Sequence, residues 1–398
     1  MSFHRLEEAD AKGKVALVRV DFNVPMKDGA VSDDTRLRAA LPTIDILREK
    51  GAKIALLAHF DRPKGKRVPS MSLRPVAPAL EKLIGAPVAF AEDCVGEPAL
   101  KTIEALPARG VALLENTRFH AGEEANDPAL AKAFAALGDL YVNDAFSAAH
   151  RAHASTEGLA RLLPAFAGKQ MEQELDALEA ALGKPQRPVM GVVGGSKVSS
   201  KIDLLKNLVT KLDRLVIGGG MANTFLYAQG YEVGASYCEK DLAETAREIV
   251  RLAGRHSCQM LLPIDTIVSE RLAPNSPAFV RGLGEIDNEE RIFDAGPETI
   301  ARINRTMDEC ATLIWNGPLG VFETPPFDHA TMAVARHAGA RAKAGKLVAV
   351  AGGGDTVAAL NHAGATEMFT FVSTAGGAFL EWMEGKNLPG VEALSAGG

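Results

Sequence analysis

Short apolar runs alternate with amphipathic stretches along almost the whole chain. In the first half the runs are Val15 to Val20, Ile54 to Ala58, Val111 to Leu114 and Leu140 to Val142. In the second half they are Pro188 to Val193, Leu215 to Ile217, Met260 to Leu262, Leu313 to Trp315, Leu347 to Ala351 and Met368 to Val372. Runs this short and this continuously apolar predict strands covered on both faces, the habit of a parallel sheet built from βα units.

The intervening stretches predict helices. After Ser32, residues Leu37, Ala40, Leu41, Ile44 and Leu47 recur at helical spacing, with Gly51 as the C-terminal stop. Val198, Ile202, Leu205, Val209 and Leu212 form a second stripe. No short-period repeat is visible, which argues against a solenoid. Lys169 to Leu182, rich in Glu, Ala and Leu, reads as a connecting helix, and the domain division is placed there.

Composition changes this picture little. The 398 residues suffice for two or three domains, and 47% hydrophobic with 24% charged residues is ordinary for a globular protein. A net charge of −6 argues against a general nucleic-acid binder but leaves room for local cations that hold a small anion. The polar segment Met1 to Lys14 has no secretory signal pattern, and no apolar run approaches membrane-spanning length. Cys94, Cys238, Cys258 and Cys310 are scattered without a Cys-x-x-Cys pair, which argues against disulfides and structural zinc. A reduced, cytoplasmic setting is expected, with no membrane or nucleic-acid partner.

Ligands of open α/β sheets sit beyond the carboxyl ends of the strands, so the residues after each run carry the chemistry. In the first half these are Asp21-Phe22-Asn23, His59-Phe60-Asp61-Arg62, Glu115-Asn116-Thr117-Arg118, and Asn143-Asp144 followed by His150-Arg151. Arginine forks match phosphate and carboxylate oxygens, so the set reads as a cradle for a multiply charged anion. Any one of these arginines could instead pair with Asp21, Asp61, Glu115 or Asp144; four strand ends together favour the site. Arg36 is expected in the first turn of its helix, where the dipole disfavours a cation. It serves either the anion or an ion pair with Asp33 or Asp34.

In the second half the strand ends are glycines: Gly194-Gly195-Ser196-Lys197, Gly218-Gly219-Gly220, Asn316-Gly317-Pro318, Gly352-Gly353-Gly354-Asp355 and Ala375-Gly376-Gly377. Glycine admits close approach of phosphate to backbone, and a following helix offers free N–H groups. None of the five is a P-loop, and no Gly-x-Gly-x-x-Gly follows the first strand. Lys197 and Lys201, four apart, are expected on one face in the first turns of a helix, bridged by an anion or simply solvated. Asp355 is either a helix cap or a magnesium ligand, and both roles are compatible.

On these motifs the chain resembles the phosphoglycerate kinase family from end to end. Val18-Arg19-Val20-Asp21-Phe22-Asn23-Val24-Pro25, Leu113-Leu114-Glu115-Asn116, Arg118-Phe119, Asn143-Asp144-Ala145-Phe146 and Ala149-His150-Arg151-Ala152-His153 carry the first half. Gly218-Gly219-Gly220-Met221-Ala222, Trp315-Asn316-Gly317-Pro318 and Gly352-Gly353-Gly354-Asp355-Thr356 carry the second. The resemblance implies two Rossmann-like domains, each a parallel-sheet α/β/α sandwich, facing a cleft. Residues 1–168 would bind phosphoglycerate, 169–184 connect as a hinge, 185–383 bind nucleotide, and the tail 384–398 fold back on the first domain. It implies reversible phosphoryl transfer between 1,3-bisphosphoglycerate and ADP, giving 3-phosphoglycerate and ATP, with Mg²⁺, by a monomer.

By the same resemblance, phosphoglycerate would contact Asp21, Asn23, Arg36, His59, Arg62, Arg118 and Arg151. Nucleotide would contact Lys201, Asn316, Glu323, Gly353, Gly354, Asp355 and Thr356, with Asp355 holding Mg²⁺. Arg36, Lys197 and the helix starts at Gly352 and Gly376 would steady the moving phosphoryl group. Two positions depart from the family pattern: Asp61 replaces a usual glycine, and Ala375 a frequent one. The acceptor carboxylate is ionised at neutral pH, so no general base is needed, and catalysis reduces to positioning and electrostatics. Direct transfer implies domain closure. His150 and His153 could also suggest a phosphoenzyme or a metal, both disfavoured. The rivals are a dinucleotide-dependent dehydrogenase, which lacks its fingerprint in the first βα turn, and an anion-binding clamp, which leaves the glycine-rich half unused.

Overall fold

A computed structural model describes residues 3–396. The chain divides into two compact units. One runs to Leu175 and takes in the chain again from Asn387; the other is Asp176–Lys386. The helix Lys169–Leu178 carries the chain from the first to the second.

The first unit is built on six parallel strands in the order Val88–Ala91, Val111–Leu114, Lys53–Leu57, Val15–Arg19, Leu140–Asn143, Ala165–Ala167. Val18 lies opposite both Leu56 and Val142, so the central strand is flanked on both sides. Its Ala16, Leu17 and Val18 are fully buried, as are Leu37, Ile44 and Leu47 of the helix Thr35–Glu49 that covers one face. Arg36 does fall in that helix's first turn. Gly51 follows with φ 83°, the left-handed stop the sequence calls for. From the C-terminal segment, Val391, Ala393 and Leu394 are buried, and Gly390 N–H donates to Ala149 O at 2.9 Å.

The second unit has its own six parallel strands, ordered Gln259–Leu261, Arg214–Ile217, Val189–Val193, Thr312–Asn316, Val348–Gly352, Phe371–Ser373. A three-stranded antiparallel sheet, Phe279–Gly282, Asp265–Ser269, Arg291–Ala295, is added to it in the chain. The expected strand at Met368 to Val372 begins only at Phe371, because Thr366–Met368 forms a 3-10 turn. No helix among the described residues is long and apolar enough to cross a membrane.

Candidate functional site

In the first unit the residues beyond the strand ends form one connected network. Arg36 Nη1 donates to Asp21 Oδ1 at 3.0 Å and to Asn23 O at 2.9 Å. Ser147 Oγ donates to the other Asp21 oxygen at 2.6 Å. Arg36 therefore reaches Asp21 rather than Asp33, whose carboxylate instead accepts from Thr35. Asp61 is the junction: its N–H donates to Asn23 Oδ1 at 3.0 Å, and its carbonyl accepts from Arg118 Nη1 at 2.9 Å. Its backbone is left-handed, φ 52°, which L-residues other than Asn and Asp rarely adopt. The geometry thus requires glycine or a tolerant substitute here, and the Asp61 side chain is left exposed.

Beneath this network lies a residue that the strand-end reading does not include among the contacts. Arg19 closes the central strand and is 1% exposed. It donates to Ser155 Oγ at 2.9 Å, to Val20 O, and from Nη2 to His59 Nδ1 at 2.9 Å. Ser155 in turn donates from its backbone N–H to the buried carboxylate of Glu123 at 3.0 Å. Burial, then the positive charges of Arg19 and Arg118, hold His59 well below the usual histidine pKa. Burial and the same two arginines, with Arg151, push His153 down to about 4. Arg118 is also lowered, by burial first, and it pairs with Glu124 at 3.3 Å. Such concentrated positive charge is what a bound polyanion would relieve. Arg62 and Arg151 are exposed and their side chains have no hydrogen-bond or ion-pair partner among the described residues, which leaves both forks free for a ligand.

In the second unit the glycine runs serve two purposes. Some let adjacent strand-end loops touch: a Cβ on Gly194 would lie 1.7 Å from Pro318 O. Others face open space: a Cβ on Gly354 or Gly376 would meet nothing within 4 Å. Gly353, at φ 102°, turns the chain from the strand Val348–Gly352 into the helix Gly354–Ala363. Asp355 and the buried Thr356 lie in that helix's first turn. Thr356 Oγ1 accepts from Gly317 N–H at 2.7 Å, so it holds the Asn316-Gly317-Pro318 loop in place. Asn316 donates to Gly352 O at 2.8 Å and accepts from Lys201 Nζ at 2.7 Å.

Lys201 and Lys197 are not on a shared helix. The helix begins only at Ile202, and residues 194–201 form a loop. Glu239 fastens this loop, accepting from Ser199 N–H at 3.0 Å and from its hydroxyl at 2.5 Å. Lys201 turns inward to Gly194 O and Asn316, and burial lowers its pKa to about 8 against the opposing pull of Asp355. Lys197 stays exposed, its side chain without a hydrogen-bond or ion-pair partner among the described residues.

Beside these loops lies a cavity of about 330 Å³. Gly195, Gly219 and Gly220 give it a backbone wall, and Ile292, Phe293 and Leu319 an apolar one. Glu323 and Asp355 supply carboxylates at its edge. An apolar slot with a few polar groups is the usual form of a site for a planar, polar-edged ligand. Phe293 and Ile292 come from the antiparallel strand Arg291–Ala295, whose mixed polar and apolar sequence gives no strand-end signal. Gly352 lies outside this space; a Cβ there would meet the Phe379 ring at 2.5 Å.

Comparison with known proteins shows the family of the chain. A family model described as phosphoglycerate kinase matches residues 6–386. The phosphoglycerate kinase of Caulobacter vibrioides is 66% identical over 396 residues, covering 100% of both chains. That of Methylobacterium radiotolerans is 60% identical over 398 residues, again covering 100% of both. Among solved structures, the phosphoglycerate kinase of Coxiella burnetii superposes with a TM-score of 0.93 at 41% identity, covering 99% of each chain. That of Pyrococcus horikoshii gives 0.79 at 31% identity, with 99% of each chain covered.

Proposed function

Because the chain belongs to the phosphoglycerate kinase family, we propose that it transfers a phosphoryl group reversibly between 1,3-bisphosphoglycerate and ADP, giving 3-phosphoglycerate and ATP. It is a phosphotransferase with a carboxyl group as acceptor. The observation that supports the substrate assignment is geometric: in the first unit the Arg62 and Arg151 side chains have no hydrogen-bond or ion-pair partner among the described residues, and they follow strand ends of the same sheet as the Arg36–Asp21 and Arg118–Asp61 contacts.

Phosphoglycerate binds in this reading to Arg36, Arg62, Arg118 and Arg151, with Asp21 and Asn23 orienting Arg36 and the Asp61 junction. His59 contributes as a neutral donor. Its Nδ1 accepts from Arg19, so its proton sits on Nε2 and is available to a carboxylate or phosphate oxygen. The nucleotide's base enters the apolar slot, Glu323 takes ribose hydroxyls, and Lys201, Asn316, Gly353, Gly354 and Thr356 surround the phosphates.

Mg²⁺ fits the residues present. Asp355 is an exposed carboxylate at a helix start on the rim of the cavity, and this ion commonly takes one or two carboxylates with phosphate oxygens and water. When bound it would neutralise phosphate charge. In this reading no base for the nucleophile is required, since the acceptor carboxylate is already ionised. What the chain supplies is alignment and positive charge: Arg36 and Lys197 toward the transferring group, with backbone N–H groups at Gly354 and Gly376. Direct in-line transfer requires the two ligands' phosphates to be aligned and in contact. The enzyme acts in this reading as a cytoplasmic monomer.

Transfer from ATP made chiral at the γ-phosphorus tests the direct step. A single in-line displacement inverts configuration at phosphorus. Retention would require a phosphoenzyme and would overturn the direct mechanism.

A further inference from the structure

Outside the two anion sites, one group of side chains has the composition and position of a metal centre. The strands Val88–Ala91 and Val111–Leu114 are parallel neighbours at one side of the first sheet, with Ala91 opposite Leu114. Asp93 and Cys94 follow the carboxyl end of the first strand, and His120 lies beyond that of the second, after the turn Thr117–Phe119. This is the edge of an open α/β sheet at which ligands are generally held. His120 Nε2 lies 2.6 Å from Asp93 Oδ1, and the Asp93 carboxylate, the Cys94 sulfur and a His120 ring nitrogen all lie within 4.8 Å of one another.

We propose that Asp93, Cys94 and His120 form a binding site for a zinc-class divalent cation. One thiolate, one imidazole and one carboxylate with room for a water is the donor set that Zn²⁺ prefers, and one that Mg²⁺ does not. The placement gives the ion a way in. Asp93 and His120 are partly exposed, while Cys94 forms the buried inner wall. On binding, the Cys94 thiol gives its proton to solvent as the sulfur–metal bond forms. The proton that His120 Nε2 donates to Asp93 is lost to solvent while Nδ1 carries the ring's remaining proton, and the hydrogen bond is exchanged for two metal bonds. Without a cation the thiol stays protonated, since burial and then the charge of Asp93 push it well above its usual range.

Binding would also draw on a neighbouring contact. Arg67 Nη2 lies 3.2 Å from Asp93 Oδ2, and the Arg67 guanidinium sits over the Phe119 ring at 5.6 Å. A metal competes with Arg67 for that carboxylate, and Phe119 directly follows Arg118 of the anion cradle.

The test is a titration of the full-length, reduced protein with Co²⁺, which reports thiolate coordination as a near-ultraviolet charge-transfer band. A band that saturates at a single equivalent and is displaced by Zn²⁺ is expected. Cys94→Ser should abolish it, and His120→Gln should weaken Co²⁺ binding at least ~10-fold. If Cys94→Ser does not fold, Asp93→Asn and His120→Gln, at partly exposed positions, carry the test, and both must weaken the band. Absence of a thiolate band in the unsubstituted protein overturns the proposal. So does a band that survives Cys94→Ser, which would then belong to another cysteine such as the half-buried Cys238.

Discussion

Arg19 Nη2 donates to His59 Nδ1 at 2.9 Å, and this contact fixes what His59 can offer a ligand. The arginine is buried, its charge is shared with Ser155 and the carbonyl of Val20, and it leaves the imidazole neutral with its proton on Nε2. Arg19→Met should therefore act twice. It strips a buried charge network of its cation, for which about 3–5 kcal/mol of stability loss is expected in chemical denaturation. It also frees His59 to protonate or change tautomer. Nitrogen-15 spectra of the histidine ring should show a single Nε2–H tautomer in the unsubstituted protein across neutral pH; a titrating His59 would contradict the assignment.

Lys197 should separate catalysis from stability. It is exposed and its side chain makes no hydrogen bond or ion pair among the described residues, so Lys197→Ala should leave the melting temperature almost unchanged. If it stabilises the transferring group, kcat should fall by ~10²-fold or more. Near-normal turnover would place that charge stabilisation elsewhere. Glu239→Gln, which loosens the loop without removing its lysines, should lower kcat by a smaller factor.

Asp61 gives a prediction of opposite sign. Its backbone is used and its carboxylate is not. Asp61→Asn keeps the tolerance for φ 52° and removes a negative charge from the mouth of the anion cradle. The KM for 3-phosphoglycerate should fall with kcat unchanged. Asp61→Ala should instead cost about 1 kcal/mol in stability, because alanine resists the left-handed region. Steady-state kinetics and thermal melts read these separately.

Lys201 makes nucleotide binding depend on pH. In the free protein burial lowers its pKa to about 8, so the ammonium is lost above that pH. A nucleotide phosphate beside it favours the charged form and raises that value. The dissociation constant for ADP should then rise by about tenfold per pH unit above roughly pH 8. Lys201→Arg, permanently charged, should flatten the slope. The stability effect has the reverse sense. The unfolded lysine, at its ordinary value of 10.5, binds more protons than the folded one, so this group's contribution to stability rises between about pH 8 and 10.5.

Much of this fold was legible because buried parallel strands must be apolar throughout. Val111–Leu114 begins and ends where its apolar run does. The strands that gave no signal are those that need not be apolar. Val88–Ala91 is an outer strand with its middle residues only half buried, and Ala165–Ala167 is three residues long. The antiparallel sheet at 265–295 carries polar positions on every strand and exposed ones on Phe279–Gly282 and Arg291–Ala295. Candidate site residues stand out in the sequence where charge lies just past a strand, as at Arg62, Arg118 and Asp355. Arg19 was not read as a contact, because the charge lies inside the strand and its role depends on Ser155 and His59, distant in sequence. The spacing of Lys197 and Lys201 suggested a helix face, but three successive strand-end loops crowd this edge, and Glu239 holds the segment open instead.

The most direct test of the central claim is a coupled assay of the purified chain with ATP, 3-phosphoglycerate and Mg²⁺. The 1,3-bisphosphoglycerate formed is reduced by an added dehydrogenase and NADH, and the rate is read as NADH loss. The account predicts turnover that requires all three components and saturates with both substrates. ATP consumption that is absent, or that proceeds equally without 3-phosphoglycerate, would contradict it.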